Sequence, residues 1–166
     1  MNVAEAAKDV HMPLVEEMQL QGSWLFRWRT YLPLAVLALF FAGLRGFAYP
    51  LGSHRLDQYW ELVCFTVSLL GIGIRVGTVG FAPRKTSGRN TRRQVAGSLN
   101  TTGAYSVVRN PLYLGNFFVG LGPALFLHAW WIPPIYALGF MVYYERIILA
   151  EEAFLSQKFG QVYVDW

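Results

Sequence analysis

A chain of 166 residues has the length of one domain, and 54% of it is hydrophobic, 16% aromatic and only 14% charged. Soluble domains carry roughly 25% charged residues, so this chain lacks an ordinary water-facing surface. The net charge of +4 does not point to nucleic acid, because most basic residues fall between apolar runs, where the positive-inside rule accounts for them.

The first 23 residues include Glu5, Asp9, Glu16 and Glu17 and no apolar core, which is not the pattern of a signal peptide. Residues 12–28 read as an amphipathic lead-in helix, with Trp24, Phe26 and Trp28 suited to a membrane interface. Spanning helices need roughly 20 mainly apolar residues. Four segments qualify: 31–49, 58–80, 111–129 and 134–150. The expected architecture is therefore an all-α integral membrane protein of about four transmembrane helices plus an N-terminal interfacial helix. One domain covers 1–166, divided into a lead-in (1–30), two spans (31–82), a basic loop (83–110) and a C-terminal helical hairpin with tail (111–166). Pro50-Leu51-Gly52-Ser53-His54 forms the first turn, and residues 128–134 form the last. Cys64, inside an apolar run without a His or basic companion, reads as a small buried hydrophobe.

Orientation follows from Lys and Arg. The stretch 83–109 holds Arg84, Lys85, Arg89, Arg92, Arg93 and Arg109 with no acidic residue, whereas the turn after the first span holds only Arg55, with Arg45 just inside that span. The basic loop is thus expected on the cytoplasmic side, and an even number of spans puts both termini there. The short chain suggests a prokaryotic inner membrane. Arg89, Arg92 and Arg93 set this topology or draw anionic head groups, and Asn90, Gln94 and Asn100 are polar candidates for ligand contact.

Asn110-Pro111 reads as an N-cap followed by proline at the first helical position. Unpaired amides, a positive helix dipole and the Arg109 guanidinium make this helix start an expected anion site. Gly115, Gly120 and Gly122 then either permit close helix packing or leave bare backbone for a flat ligand group. Tyr113 either covers that ligand or anchors in the interface.

The last span ends in Tyr143-Tyr144-Glu145-Arg146 and Glu151-Glu152. Glu145 and Glu152, seven apart, share a helix face. Glu145, at the hydrocarbon boundary, calls for Arg146 or Arg75 as its partner. A short turn makes the last two helices antiparallel neighbours, bringing Glu151 and Glu152 to Arg109, Asn110 and Tyr113. An anion site beside an acidic patch suits a zwitterionic ligand.

Arg109-Asn110-Pro111-Leu112-Tyr113-Leu114-Gly115 resembles the Arg-His-Pro-x-Tyr-x-Gly signature of the isoprenylcysteine carboxyl methyltransferase superfamily, which includes phospholipid methyltransferases. Glu151-Glu152 with Leu155, Phe159-Gly160 and Tyr163 is similar to that superfamily's ending, and Gly120-Leu121-Gly122 to the Gly-x-Gly of its phospholipid methyltransferases. The resemblance covers 86–163. It implies S-adenosyl-L-methionine (SAM) as cofactor, bound by Arg109, Asn110, Pro111, Tyr113, Gly115, Gly120, Gly122, Glu151 and Glu152, with no metal. It further implies methyl transfer to a lipophilic acceptor entering from the bilayer, either a prenylcysteine-like carboxylate or a lipid amine. Glu152 and Tyr113 are the candidate catalytic groups, with Glu151 also available for taking a proton. The signature histidine is Asn110 here, which keeps a cap and a hydrogen bond but cannot titrate. A sterol-reductase-like enzyme using NADPH and a non-catalytic lipid-binding subunit are the alternatives. The acidic pair Glu151-Glu152 disfavours NADPH, whose extra phosphates call for basic residues.

Overall fold

The computed structural model describes residues 3–44, 53–81 and 97–166. Arg45, most of the first turn (Pro50, Leu51 and Gly52) and the loop residues Arg84, Lys85, Arg89, Asn90, Arg92, Arg93 and Gln94 lie outside the described residues. All regular structure among the described residues is helical. The helices are α1 (Val3–Trp28), α2 (Leu32–Leu44), α3 (His54–Phe81), α4 (Pro111–Phe126), α5 (Ile132–Phe159) and the short α6 (Gln161–Val164), with 3-10 turns at Arg29–Tyr31 and Gly103–Ser106.

Helices α2 to α5 occupy the four apolar segments. Among the described residues α3 alone is long and apolar enough to cross a membrane, with a mean hydropathy of 1.9 over its best stretch. Its 28 residues rise about 42 Å. Most of that stretch is exposed, and Leu62, Phe65, Leu69, Ile72 and Val76 form much of the uncovered apolar surface. Helix α4 is shorter, 16 residues and about 24 Å.

The C-terminal ends of α4 and α5 differ from the sequence-based expectation. Helix α4 stops at Phe126 rather than 129, because His128 adopts a left-handed φ of 52° that a continuing helix forbids. Helix α5 continues to Phe159 rather than ending near 150. Apolar character gives way at Glu151, but the backbone helix persists until Gly160, whose φ of 57° breaks it. Glu151 and Glu152 therefore sit on a rigid helix, not on a frayed tail.

Glycines set the closest helix contacts. A Cβ at Gly71 of α3 would lie 2.6 Å from the Gly115 carbonyl oxygen and from the Val119 amide of α4. A Cβ at Gly122 would run into Ser68 Oγ and the Cys64 carbonyl. Ser68 Oγ donates to the Val119 carbonyl at 3.3 Å, and the Trp60 indole donates to the Leu125 carbonyl at 2.9 Å. As α3 residues rise from 60 to 71 their α4 partners fall from 125 to 115, so the pair is antiparallel. At its lower end the buried Asp57 faces His128 of the α4–α5 turn at 3.5 Å.

Helix α1 has a structural partner that its sequence did not specify. It begins at Val3, ahead of the expected start at 12. It packs antiparallel on α5: Gly22 meets the Arg146 carbonyl and Ala150, Tyr143 Oη donates to the Leu25 carbonyl at 3.1 Å, and Phe26 is buried with Tyr144 and Ile147. Trp24 and Trp28 remain exposed.

Candidate functional site

The start of α4 and the acidic end of α5 meet, as the hairpin topology requires. Asn110 occupies the N-cap and Pro111 the first helical position. The Asn110 side chain makes no capping hydrogen bond, contrary to its expected role. The physical reason is backbone geometry: the Tyr113 amide, which a capping side chain would take, already donates to the Asn110 carbonyl at 3.1 Å.

Arg109 reaches across to Glu152, Nη1 to Oε1 at 3.7 Å, with half of the arginine side chain and a third of the glutamate exposed. Its guanidinium also lies over the Tyr163 and Trp166 rings at 5.9 and 5.8 Å. An ion pair this exposed is worth about 0–1 kcal/mol, so a ligand that offers better partners displaces it at little cost.

Glu151 has a different setting. Its side chain is 24% exposed and lies 3.7 Å from Arg29, which follows α1. The Tyr113 hydroxyl is hydrogen-bonded to it. Burial pushes the Glu151 carboxyl above the ordinary carboxylate range, and Tyr113 and Arg29 oppose that rise. Burial, reinforced by Glu151, also raises Tyr105 of the preceding turn, and burial with Glu152 raises Tyr163. The two adjacent carboxylates thus have different partners: Glu151 is half-buried against Tyr113 and Arg29, and Glu152 is paired with the more exposed Arg109.

Below this entrance runs a cleft of about 1210 Å³, lined by residues of α2 to α5 that include Phe40, Phe65, Val119, Phe126 and Ile135. Arg29, Arg75, Tyr113, Asn116 and Tyr144 form its polar wall. Arg75 donates to Asn116 Oδ1, and Asn116 Nδ2 donates to Tyr144 Oη at 3.1 Å. The Tyr113 and Tyr144 rings lie 4.5 Å apart, and Tyr144 stacks on Phe140 at 4.1 Å.

Of the residues expected in the site, Arg109, Asn110, Pro111, Tyr113, Glu151 and Glu152 come together. The pairing is crossed: Tyr113 engages Glu151, while Glu152 engages Arg109. Gly115, Gly120 and Gly122 lie against α3 and Tyr136 of α5, so their absent side chains serve helix packing in this conformation. Of the two partners considered for Glu145, the structure selects Arg146, at 4.0 Å. Asn100 accepts from the Thr102 amide and hydroxyl at 3.2 and 3.1 Å, which folds its own loop. Arg29, Tyr105, Asn116 and Tyr144 are contributors that spacing did not reveal. Asn116 carried a usable signal, since an amide inside an apolar helix commonly bonds across helices.

Residues 62–162 match the family described as phospholipid methyltransferase. The chain is 30% identical over 137 residues to the nickel-cobalt-cadmium resistance protein NccN of Alcaligenes xylosoxydans xylosoxydans. It is 28% identical over 137 residues to the cobalt-zinc-cadmium resistance protein CzcN of Cupriavidus metallidurans. Each alignment covers 81% of this chain and 56% of the relative, so the chain spans about half the length of these curated relatives. No solved structure matches it.

Proposed function

Because the chain belongs to the phospholipid methyltransferase family, we propose that it transfers a methyl group from SAM to a lipophilic acceptor that enters from the bilayer. About four spans hold it there, with both termini on the cytoplasmic side. The observation that carries this reading is the exposed Arg109–Glu152 pair at the start of α4, beside the half-buried Glu151–Tyr113 pair and next to a largely apolar cleft.

The donor set fits the amino-acid end of SAM. Arg109 takes its carboxylate, helped by the first amides of α4, and Glu152 takes its ammonium or ribose hydroxyls. One zwitterion thereby replaces one exposed ion pair with two better-formed ones. SAM supplies a methyl group on a sulfonium, a strong donor that needs no metal. The protein's task is then alignment and exclusion of water, which the cleft walls and the tightly packed α3–α4 pair perform.

The candidate catalytic groups of the sequence, Glu152 and Tyr113, divide their work. Glu152 holds the cofactor, and Tyr113 hands a proton onward to Glu151. A carboxylate acceptor requires no base. An amine acceptor must lose a proton, and Glu151, raised by burial, is a better base than an ordinary carboxylate once ionised. Asn110 in place of the signature histidine is consistent with this assignment, because the base lies on α5 instead.

The test is transfer of label from methyl-labelled SAM by the purified protein in proteoliposomes, offered lipid amines and a prenylcysteine in parallel. Labelled lipid is the expected outcome. Absence of both SAM binding and labelled product would leave the non-catalytic reading.

A further inference from the structure

Resting on the transferase reading, we propose that Arg75 is the residue that recognises the acceptor, by binding the phosphodiester of a membrane lipid whose tail lies in the cleft. Arg75 projects from an apolar helix into the cleft wall and is more than a third exposed there. Its bonded partner is the neutral Asn116, which in turn bonds the neutral Tyr144. Among the described residues the ion pairs join Arg29 to Glu151, Arg109 to Glu152, Arg146 to Glu145 and His128 to Asp57, and none involves Arg75. Glu61, which also lines the cleft, lies about 21 Å away along α3. A guanidinium left without an anion at membrane depth is costly. The cost falls away when a ligand brings the anion, and a phosphodiester offers the planar fork two acceptor oxygens.

The packing holds this arginine in position. A Cβ at Gly115 would lie 2.6 Å from Arg75 Cγ, so the missing side chain is what lets the arginine stem cross α4 toward Asn116.

The order of groups along the cleft selects the acceptor. From the apolar lining of Phe65, Val119, Phe126 and Ile135 the wall passes to Arg75 and Asn116, then one helical turn (about 4.5 Å) to Tyr113, whose hydroxyl bonds Glu151 outside the lining, with the Arg109–Glu152 pair next to it. Tail, anion and amine follow in that order in a lipid with a phosphate and an amine joined by a two-carbon bridge. A prenylcysteine ends on its carboxylate, which would set an anion against Glu151.

The test compares phosphatidylethanolamine with oleylamine, a tailed amine without phosphate, as acceptors in mixed micelles with labelled SAM. Arg75→Gln should raise the KM for phosphatidylethanolamine about tenfold or more, while the KM for oleylamine and the affinity for SAM stay unchanged. Arg75→Lys, which keeps the charge, should recover part of the loss and guards against misfolding of the neutral variant. Inorganic phosphate should compete poorly, because it lacks the tail. Equal losses on both acceptors, no loss on either, or competition by free phosphate at the lipid's own concentration would overturn the assignment. SAM binding by the unaltered protein with transfer to neither lipid would overturn it too while sparing the cofactor reading, whereas absence of SAM binding would sink the reading beneath it.

Discussion

Glu151 and Glu152 are identical in chemistry and neighbours in sequence, yet the fold gives them different partners. On a helix, adjacent residues point about 100° apart, so Glu151 turns into the contact with Tyr113 and Arg29 while Glu152 stays with Arg109 near water. Because burial raises the Glu151 pKa above its ordinary 4.5, the folded state prefers the protonated carboxyl. Its stabilising share is full below the ordinary value and is lost as pH rises through the folded one. Glu151→Gln should therefore flatten the dependence of the melting midpoint on pH in that window. The same substitution should abolish transfer to an amine acceptor, and in the unaltered protein transfer should rise with pH as Glu151 ionises, above the range of a free carboxylate. A melting curve and a rate profile across mildly acidic pH check both. The meeting of Arg109 with the acidic pair was legible in the sequence, because a motif at a helix start and a hairpin suffice to bring them together. Arg29 was not legible: its contact with Glu151 depends on how α1 docks, which no local spacing encodes.

Among elements, the α3–α4 pair depends on the glycines that the sequence left open between packing and ligand contact. Gly122→Ala would drive a Cβ into Ser68 Oγ and the Cys64 carbonyl, and a backbone carbonyl cannot step aside. Overpacking of this kind should cost roughly 1–3 kcal/mol. Gly73, on the same α3 helix, has nothing within 4 Å of a Cβ, so Gly73→Ala should be neutral or slightly stabilising. Melting midpoints of the two variants in one detergent make the comparison, and equal effects would contradict the packing. The existence of the helices was legible from apolar runs alone, whereas their ends were not. His128 and Gly160 fix those ends through backbone angles that composition does not announce. The direction of α1 was equally hidden, since its sequence marks an apolar face but not the helix that covers it.

For the whole molecule, the alternation of α2 to α5 sets the α4 start and the α5 acidic end at one level, with Asp57 and His128 at the opposite level. On the proposed topology, with the basic loop cytoplasmic, the site faces the cytoplasm and the α3 start faces away. In a Cys64→Ser background, a membrane-impermeant maleimide should label Ser53→Cys in intact cells and Gln157→Cys only after permeabilisation. The reverse pattern would invert the topology. The membrane class was legible because it rests on bulk composition, which survives any error in helix boundaries. The role proposed for Arg75 was not, because its contact with Asn116 exists only once α3 and α4 are packed.

The central claim is that the Arg109–Glu152 pair at the α4 start is the SAM site. Equilibrium binding of SAM to the detergent-purified protein, beside Arg109→Ala and Glu152→Ala with melting curves on the same samples, tests it most directly. The site as described predicts binding by the unaltered protein and a loss of about tenfold or more in each variant, with melting midpoints nearly unchanged because the exposed pair contributes little stability. Unchanged affinity in both folded variants would contradict it.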